Sequence, residues 1–122
     1  MSRSAKAKGR IGQQEIRDKL LETFTEFEKD DIKSCIMGDT GEDIQFSPQA
    51  KKRLPLSIEV KRRKNEMKTV YSYMEQAYKH SHNNKGEPVV FYRSDKRPWV
   101  VMIGLQHYMD LLRDWKINEE KI

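Results

Sequence analysis

Glu59 and Lys61 stand two residues apart in the run Leu56-Ser57-Ile58-Glu59-Val60-Lys61. In an extended chain alternate side chains share a face, so the carboxylate and the ammonium project together while Ile58 and Val60 turn the other way. Sixteen residues before Glu59 comes Asp43, at the end of the turn Gly-Asp-Thr-Gly-Glu. Carboxylates are hard oxygen donors of the kind that hold Mg²⁺ or Mn²⁺. A divalent cation held by two of them shields an anionic phosphodiester, stabilises the transition state and binds the attacking water. A lysine within reach can orient or deprotonate that water, or stabilise developing charge. These residue types therefore predict metal-assisted phosphodiester hydrolysis, with Asp43 and Glu59 on the metal and Lys61 beside it.

An acid two residues before a lysine is a weak signal alone. Five such pairs occur, at 31/33, 59/61, 66/68, 114/116 and 119/121. The last two fall at the end of the terminal helix and in the tail. The pair at Glu66 opens a helix, where residues two apart diverge. The pair at Asp31 follows a helix, with no acid-bearing strand before it. Only Glu59 and Lys61 occupy a clear strand, follow a turn that carries an acid, and lie among basic residues. The competing reading of that pair is an exposed strand face with a cross-strand ion pair.

The positioning elements follow from periodicity. Ile16, Leu20, Phe24 and Phe27, widened by Leu21, predict a helix over residues 12–29. Glu15 lies one turn in, at the edge of the apolar stripe. It reads either as helix N-terminal charge or as an acid reaching toward the metal. Residues 31–37 suggest a strand with Ile32, Cys35 and Ile36 inward, and Ile44 and Phe46 alternate around Gln45 as a second strand does. Ser47-Pro48 is an N-cap followed by proline at the first helical position, predicting a short helix to Leu54 that Pro55 ends. Residues 66–80 form a second long helix. One of its faces is apolar, with Met67, Val70, Tyr71, Met74, Ala77 and Tyr78. The opposite face carries the uncharged Thr69, Ser72, Tyr73 and Gln76, which suits the wall of a cleft. Residues 80–86 read as a polar loop. Residues 89–92 and 99–103 form a hairpin with a basic loop, and residues 105–115 a closing helix with Tyr108, Leu111, Leu112 and Trp115 inward.

Composition sets the broad class. The 122 residues are 36% apolar and 35% charged with a net charge of +5, which fits a soluble α/β (α+β) chain of one domain with a modest core. From Lys51 to Lys68 eight basic residues face two acids, so positive charge concentrates around the candidate site and favours an anionic partner. The single Cys35 cannot form an internal disulfide, which points to a reducing cytoplasm. No apolar run reaches membrane-spanning length, and residues 1–10 lack the apolar stretch of a secretory signal. Those ten residues, with Arg3, Lys6, Lys8 and Arg10, read as a flexible basic arm, solvated or tracking a nucleic-acid backbone. His80, His82 and His107 read as solvated histidines rather than a zinc site, and Trp99 and Trp115 as core.

The order of these features resembles the PD-(D/E)xK nuclease superfamily. The carriers are a helix with Glu15, then Gly41-Glu42-Asp43, then Ser57-Ile58-Glu59-Val60-Lys61, then a helix with Gln76. The run from Gly41 through Ser47-Pro48 to Lys61, with Glu75-Gln76-Ala77 beyond, is similar to small phage and archaeal Holliday-junction-resolvase-like endonucleases. The resemblance spans residues 9–104. It implies a restriction-endonuclease-like core, a central mixed β-sheet flanked by helices, in a nuclease domain over 11–116 followed by a frayed tail over 117–122. It implies Asp43, Glu59, the carbonyl of Val60 and Glu15 as metal ligands, Lys61 as the catalytic lysine, and Gln76 as a polar helix residue near the site. The metal would be Mg²⁺, with Mn²⁺ as substitute, and the products would carry a 5′-phosphate and 3′-hydroxyl. Residue 42 is glutamate where the motif has proline, which leaves open which of the two neighbouring acids binds metal.

These features lead to an expected Mg²⁺-dependent endonuclease acting on branched DNA as a homodimer, two symmetric sites suiting paired cuts. Arg10, Lys51, Lys52, Arg53, Arg62, Arg63, Lys64 and Lys68 are the candidate DNA contacts. Two alternatives stand beside it: a less selective phage DNA nuclease, and a basic nucleic-acid-binding protein without catalysis.

Overall fold

The computed structural model describes residues 5–35, 42–64, 66–84 and 86–115. All but Glu42 of the turn expected at 38–42, Ile36 and Met37, the first four residues and the tail 117–122 lie outside the described residues. Packing gathers into two compact units, the first running to Lys64 and the second spanning Asn65–Trp115.

In the first unit, helix α1 spans Ala5–Thr23. Residues 5–10 are therefore helical rather than part of a flexible arm. Alanine, lysine and arginine are strong helix formers, and they carry the helix through Gly9 back to Ala5. At its other end the helix stops short of Phe24 and Phe27, which sit in the following turn. The amide of Phe24 donates to the Leu20 carbonyl at 2.8 Å and that of Phe27 to the Phe24 carbonyl at 3.1 Å. Both rings are still buried.

Helix α1 packs on strand β1 (Ile32–Ser34), which pairs antiparallel with β2 (Ile44–Phe46) in the register Ile32↔Phe46, Lys33↔Gln45, Ser34↔Ile44. Helix α2 (Pro48–Arg53) closes on β2. Leu20, Phe24, Ile32, Ile44, Ala50 and Leu54 form the core, each at most 1% exposed. Burial of each large apolar side chain contributes on the order of 1.5–3 kcal/mol.

Asp31 ties this unit together. Its Oδ2 accepts from the Glu28 amide at 3.0 Å and its Oδ1 from the Ser47 hydroxyl at 2.7 Å. Ser47 Oγ in turn accepts from the Ala50 amide at 3.1 Å, the expected N-cap bond of α2. The two hydrogen bonds, Glu28 first and Ser47 second, hold the Asp31 carboxyl below the usual carboxylate value against an opposing effect of desolvation.

The second unit holds α3 (Lys68–Asn84), β3 (Val89–Tyr92), β4 (Val100–Ile103) and α4 (Leu105–Asp114). The hairpin forms as expected, antiparallel with Phe91 opposite Val101. Helix α3 runs four residues past the expected end, so 80–84 is helix and not loop. Met67 does not join the apolar face. It has a left-handed backbone with φ 65°, and its carbonyl accepts from the Val70 and Tyr71 amides, so it caps the helix and is 66% exposed. In α4 the buried pair is Met109 and Leu112, while Tyr108, Leu111 and Trp115 are exposed, because the covered stripe is narrower than the apolar one. Trp99, read as core, is 63% exposed.

The chain is thus mixed α/β, with four helices and two two-stranded antiparallel ladders among the described residues. A single mixed sheet is not seen among the described residues. No described helix is long and apolar enough to cross a membrane.

Candidate active site

Among the described residues the segment carrying Glu59 and Lys61 forms no ladder, contrary to the strand its sequence predicts. Pro55 has no N–H to give a neighbour at its start. Among the described residues one backbone bond, from the Asp43 amide to the Ile58 carbonyl at 3.1 Å, ties the segment to the chain before β2. The expected alternation holds all the same. Ile58 and Val60 are half-buried, and Ser57, Glu59 and Lys61 are exposed.

Asp43 is the joint between the two pieces. Its carbonyl accepts from the Cys35 amide at 2.8 Å, one step beyond the β1–β2 ladder. Its amide donates to Ile58, and its side-chain Oδ2 accepts from the Val60 amide at 2.6 Å. One aspartate thus fixes the segment at two points two residues apart, with Glu59 between them.

Glu42, Asp43, Ser57, Ile58 and Glu59 line an open recess of about 350 Å³. Three carboxylates therefore face one space, and Glu42, which replaces the motif's proline, is among them. Each has its own partner. Glu59 Oε1 lies 2.9 Å from Lys61 Nζ, Glu42 Oε2 lies 3.4 Å from Lys51 Nζ, and Asp43 holds the Val60 amide. The hydrogen bond from Lys61, then its charge, holds the Glu59 carboxyl below its usual value despite an opposing desolvation effect.

Glu15 does not line the recess. Its nearest ionic partner is Arg62, at 3.9 Å. It reaches the far side of the same segment because α1 comes close there. Gly12 faces that approach, and a Cβ on it would lie 3.2 Å from Arg62 Cβ and 3.5 Å from Val60 Cγ1. Gln76 belongs to the second unit, on the wall of a cleft between α3 and β3.

The candidate DNA contacts divide. Lys51 points inward, donating to the Leu56 carbonyl at 2.5 Å with its ammonium 5.6 Å from the centre of the Phe46 ring. Arg53 stacks over Phe24 at 5.1 Å. In both, the long stem lies against apolar surface while the charged end meets groups of the chain itself. Arg10, Lys52, Arg62, Arg63, Lys64 and Lys68 are exposed. The inward role of Lys51 has no sequence signal, since three adjacent basic residues look alike.

Comparisons with protein-family models, with curated proteins and with solved structures found no match for this chain. The site is therefore judged on its own donor set. Among the described residues no three acids, histidines or cysteines gather closely enough to hold a metal unaided. Mg²⁺ ordinarily keeps several waters and takes one or two carboxylates, so Asp43 and Glu59, with Glu42 on the rim, fit it in a recess of this size.

Proposed function

We propose that this chain is a metal-dependent DNA endonuclease of the PD-(D/E)xK type, selective for branched DNA and acting as a homodimer, whose central sheet follows that superfamily. The observation that supports it is the convergence of Asp43 and Glu59 on one recess, with Lys61 held against Glu59. Mg²⁺ held there by Asp43 and Glu59, with the Val60 carbonyl as a further ligand, would neutralise phosphodiester charge and acidify a water. The chain's own groups then have defined tasks. Asp43 keeps the segment at its required distance through the Val60 amide. Glu59 is held ionised by Lys61 and so is ready to accept a cation. Lys61, donating to Glu59, is placed to give a hydrogen bond to a phosphate oxygen or to a reacting water. The exposed Lys52, Arg62, Arg63 and Lys64 hold flanking phosphates.

A second reading is a basic nucleic-acid-binding protein without catalysis. It is favoured by the internal pairing of all three carboxylates in the recess. Incubation with Mg²⁺ or Mn²⁺ and labelled four-way junction, nicked, linear and single-stranded DNA separates the readings. Cleavage that Glu59→Gln abolishes supports the nuclease, and cutting of the junction far above linear duplex supports structure selectivity. Tight, salt-sensitive binding without cleavage of any substrate supports the second reading.

A further inference from the structure

The uncharged face of α3 has a use outside the recess. Tyr73, Gln76, Ala77 and His80 recur at helical spacing and form one wall of a cleft of about 600 Å³, with β3 and the residues leading into it as the other wall. That volume lies in the range of small-molecule sites. The cleft lies wholly within the second unit.

Its lining combines flat apolar surface with uncommitted polar groups. Tyr73 and Tyr92 stack with ring centres 6.1 Å apart and planes at 28°, while Phe91, one residue before Tyr92 on the strand, turns to the other face of β3. Gln76 and His80 have no hydrogen-bond partner among the described residues, and both project from the same helix face into this space. An amide offers a donor and an acceptor side by side, and a neutral imidazole offers one of each. Among the described residues the lining has no lysine or arginine and one acid, Glu87. A planar, uncharged ligand with donors and acceptors along its edge fits these properties. We propose that the cleft between α3 and β3 binds an unstacked nucleobase, by stacking on its aromatic wall and by hydrogen bonds from Gln76 and His80. The hairpin loop that follows Tyr92 carries Arg93, Lys96 and Arg97, where the phosphates flanking such a base can be held.

The inference shares with the proposed function only the premise that the chain handles nucleic acid, and its test does not depend on cleavage. NMR spectra of the full chain are recorded with thymidine, with deoxyadenosine, with a ten-residue oligothymidylate, and with inorganic phosphate alone. The expected result is movement of the Gln76 side-chain amide and the His80 and Tyr73 ring signals with the three base-containing probes and none with phosphate. Tyr73→Leu, which removes one ring of the aromatic wall, weakens oligothymidylate binding about 5- to 150-fold, the value of one base–aromatic stack. Gln76→Leu weakens it while leaving the backbone spectrum in place. Much tighter binding of the oligonucleotide than of the nucleosides identifies a base within a strand, and equal binding per base identifies a free nucleoside. Movement with phosphate alone, no movement with any probe, or base-induced movement unchanged in both variants overturns the proposal. Cleft signals that persist in Glu59→Gln, or in a protein that cuts nothing, leave this inference standing while the nuclease reading falls.

Discussion

The amide of Val60 donates to Asp43 Oδ2 at 2.6 Å, and the amide of Asp43 donates to the Ile58 carbonyl at 3.1 Å. Asp43 therefore acts structurally before it meets any ligand. Two substitutions separate its roles. Asp43→Asn keeps an acceptor for Val60 but removes the charge. It is expected to lose metal-dependent cleavage by at least about 10²-fold, on the scale of a lost electrostatic contributor to a transition state, with a melting temperature close to that of the parent. Asp43→Ala leaves the Val60 amide unpaired and adds a stability loss of about 1–3 kcal/mol, read by urea unfolding.

Glu59 and Lys61 titrate as a unit. Lys61 holds the Glu59 carboxyl below its ordinary value, so Lys61→Met should move the Glu59 midpoint upward in a carbon-detected NMR titration of the metal-free protein. An unchanged midpoint would show that the 2.9 Å pair is absent in solution. Both side chains are well exposed, so neither substitution should alter stability much.

Acid stability depends on Asp31. Its folded-state carboxyl titrates below its unfolded value, so the stabilisation is complete above the unfolded pKa, near 3.8, and is lost as the pH falls through the lower folded pKa. Asp31→Asn should flatten the dependence of unfolding free energy on pH in that acidic window and leave its shape near neutrality unchanged. Ser47→Ala removes both the acceptor at the α2 N-cap and a donor to Asp31, and is expected to cost about 1 kcal/mol or somewhat more.

Lys51 and Lys52 are neighbours with opposite tasks. Lys52→Ala should lower the slope of log affinity against log salt by about one phosphate contact and leave cleavage per bound complex alone. Lys51→Ala should leave that slope nearly intact. It removes the support of the Leu56 carbonyl and of Glu42, so its effect should appear in turnover and in melting temperature.

Gly12 tests the approach of α1. Alanine in a helix interior normally gains about 1 kcal/mol over glycine. Here its Cβ would lie 3.2 Å from Arg62 Cβ, and overpacking costs about 1–3 kcal/mol. Gly12→Val, which adds two more methyl groups, should destabilise by more than Gly12→Ala and reduce activity by displacing Val60.

The parts of this architecture that sequence makes legible are those set by local chemistry. Ser47-Pro48 specifies the start of α2 because the cap bond closes within three residues. Alternation predicts β2 and the 89–103 hairpin, and it predicts the exposure of Glu59 and Lys61, because side-chain direction in an extended chain is a local property. What pairs with what is not local. Residues 56–61 have the pattern of a sheet strand, yet they join Asp43 through one backbone bond at Ile58 and one side-chain bond at Val60 rather than through a ladder. The reach of α1 back to Ala5 was hidden because short helix-forming and basic residues look the same in a tail. Trp99 and Leu111 read as core because size and hydrophobicity favour burial, but burial also needs a covering partner, which no periodicity supplies. The inward turn of Lys51 rests on a carbonyl five residues on, and the composition of that stretch carries no trace of it.

The internal pairing of the recess has a thermodynamic consequence. A site whose carboxylates carried no counter-charges would repel itself and would need its cation in order to fold. Here Lys61 and Lys51 give two of the carboxylates a counter-charge and the Val60 amide gives the third a hydrogen bond, so the chain is expected to fold in a chelating buffer. Loading then becomes an exchange, in which an incoming cation must displace an ammonium group the chain already owns. The internal pair would lower the affinity for the cation, any cation that binds only the folded chain would still raise its melting temperature, and a displaced Lys61 would be free to meet a substrate phosphate.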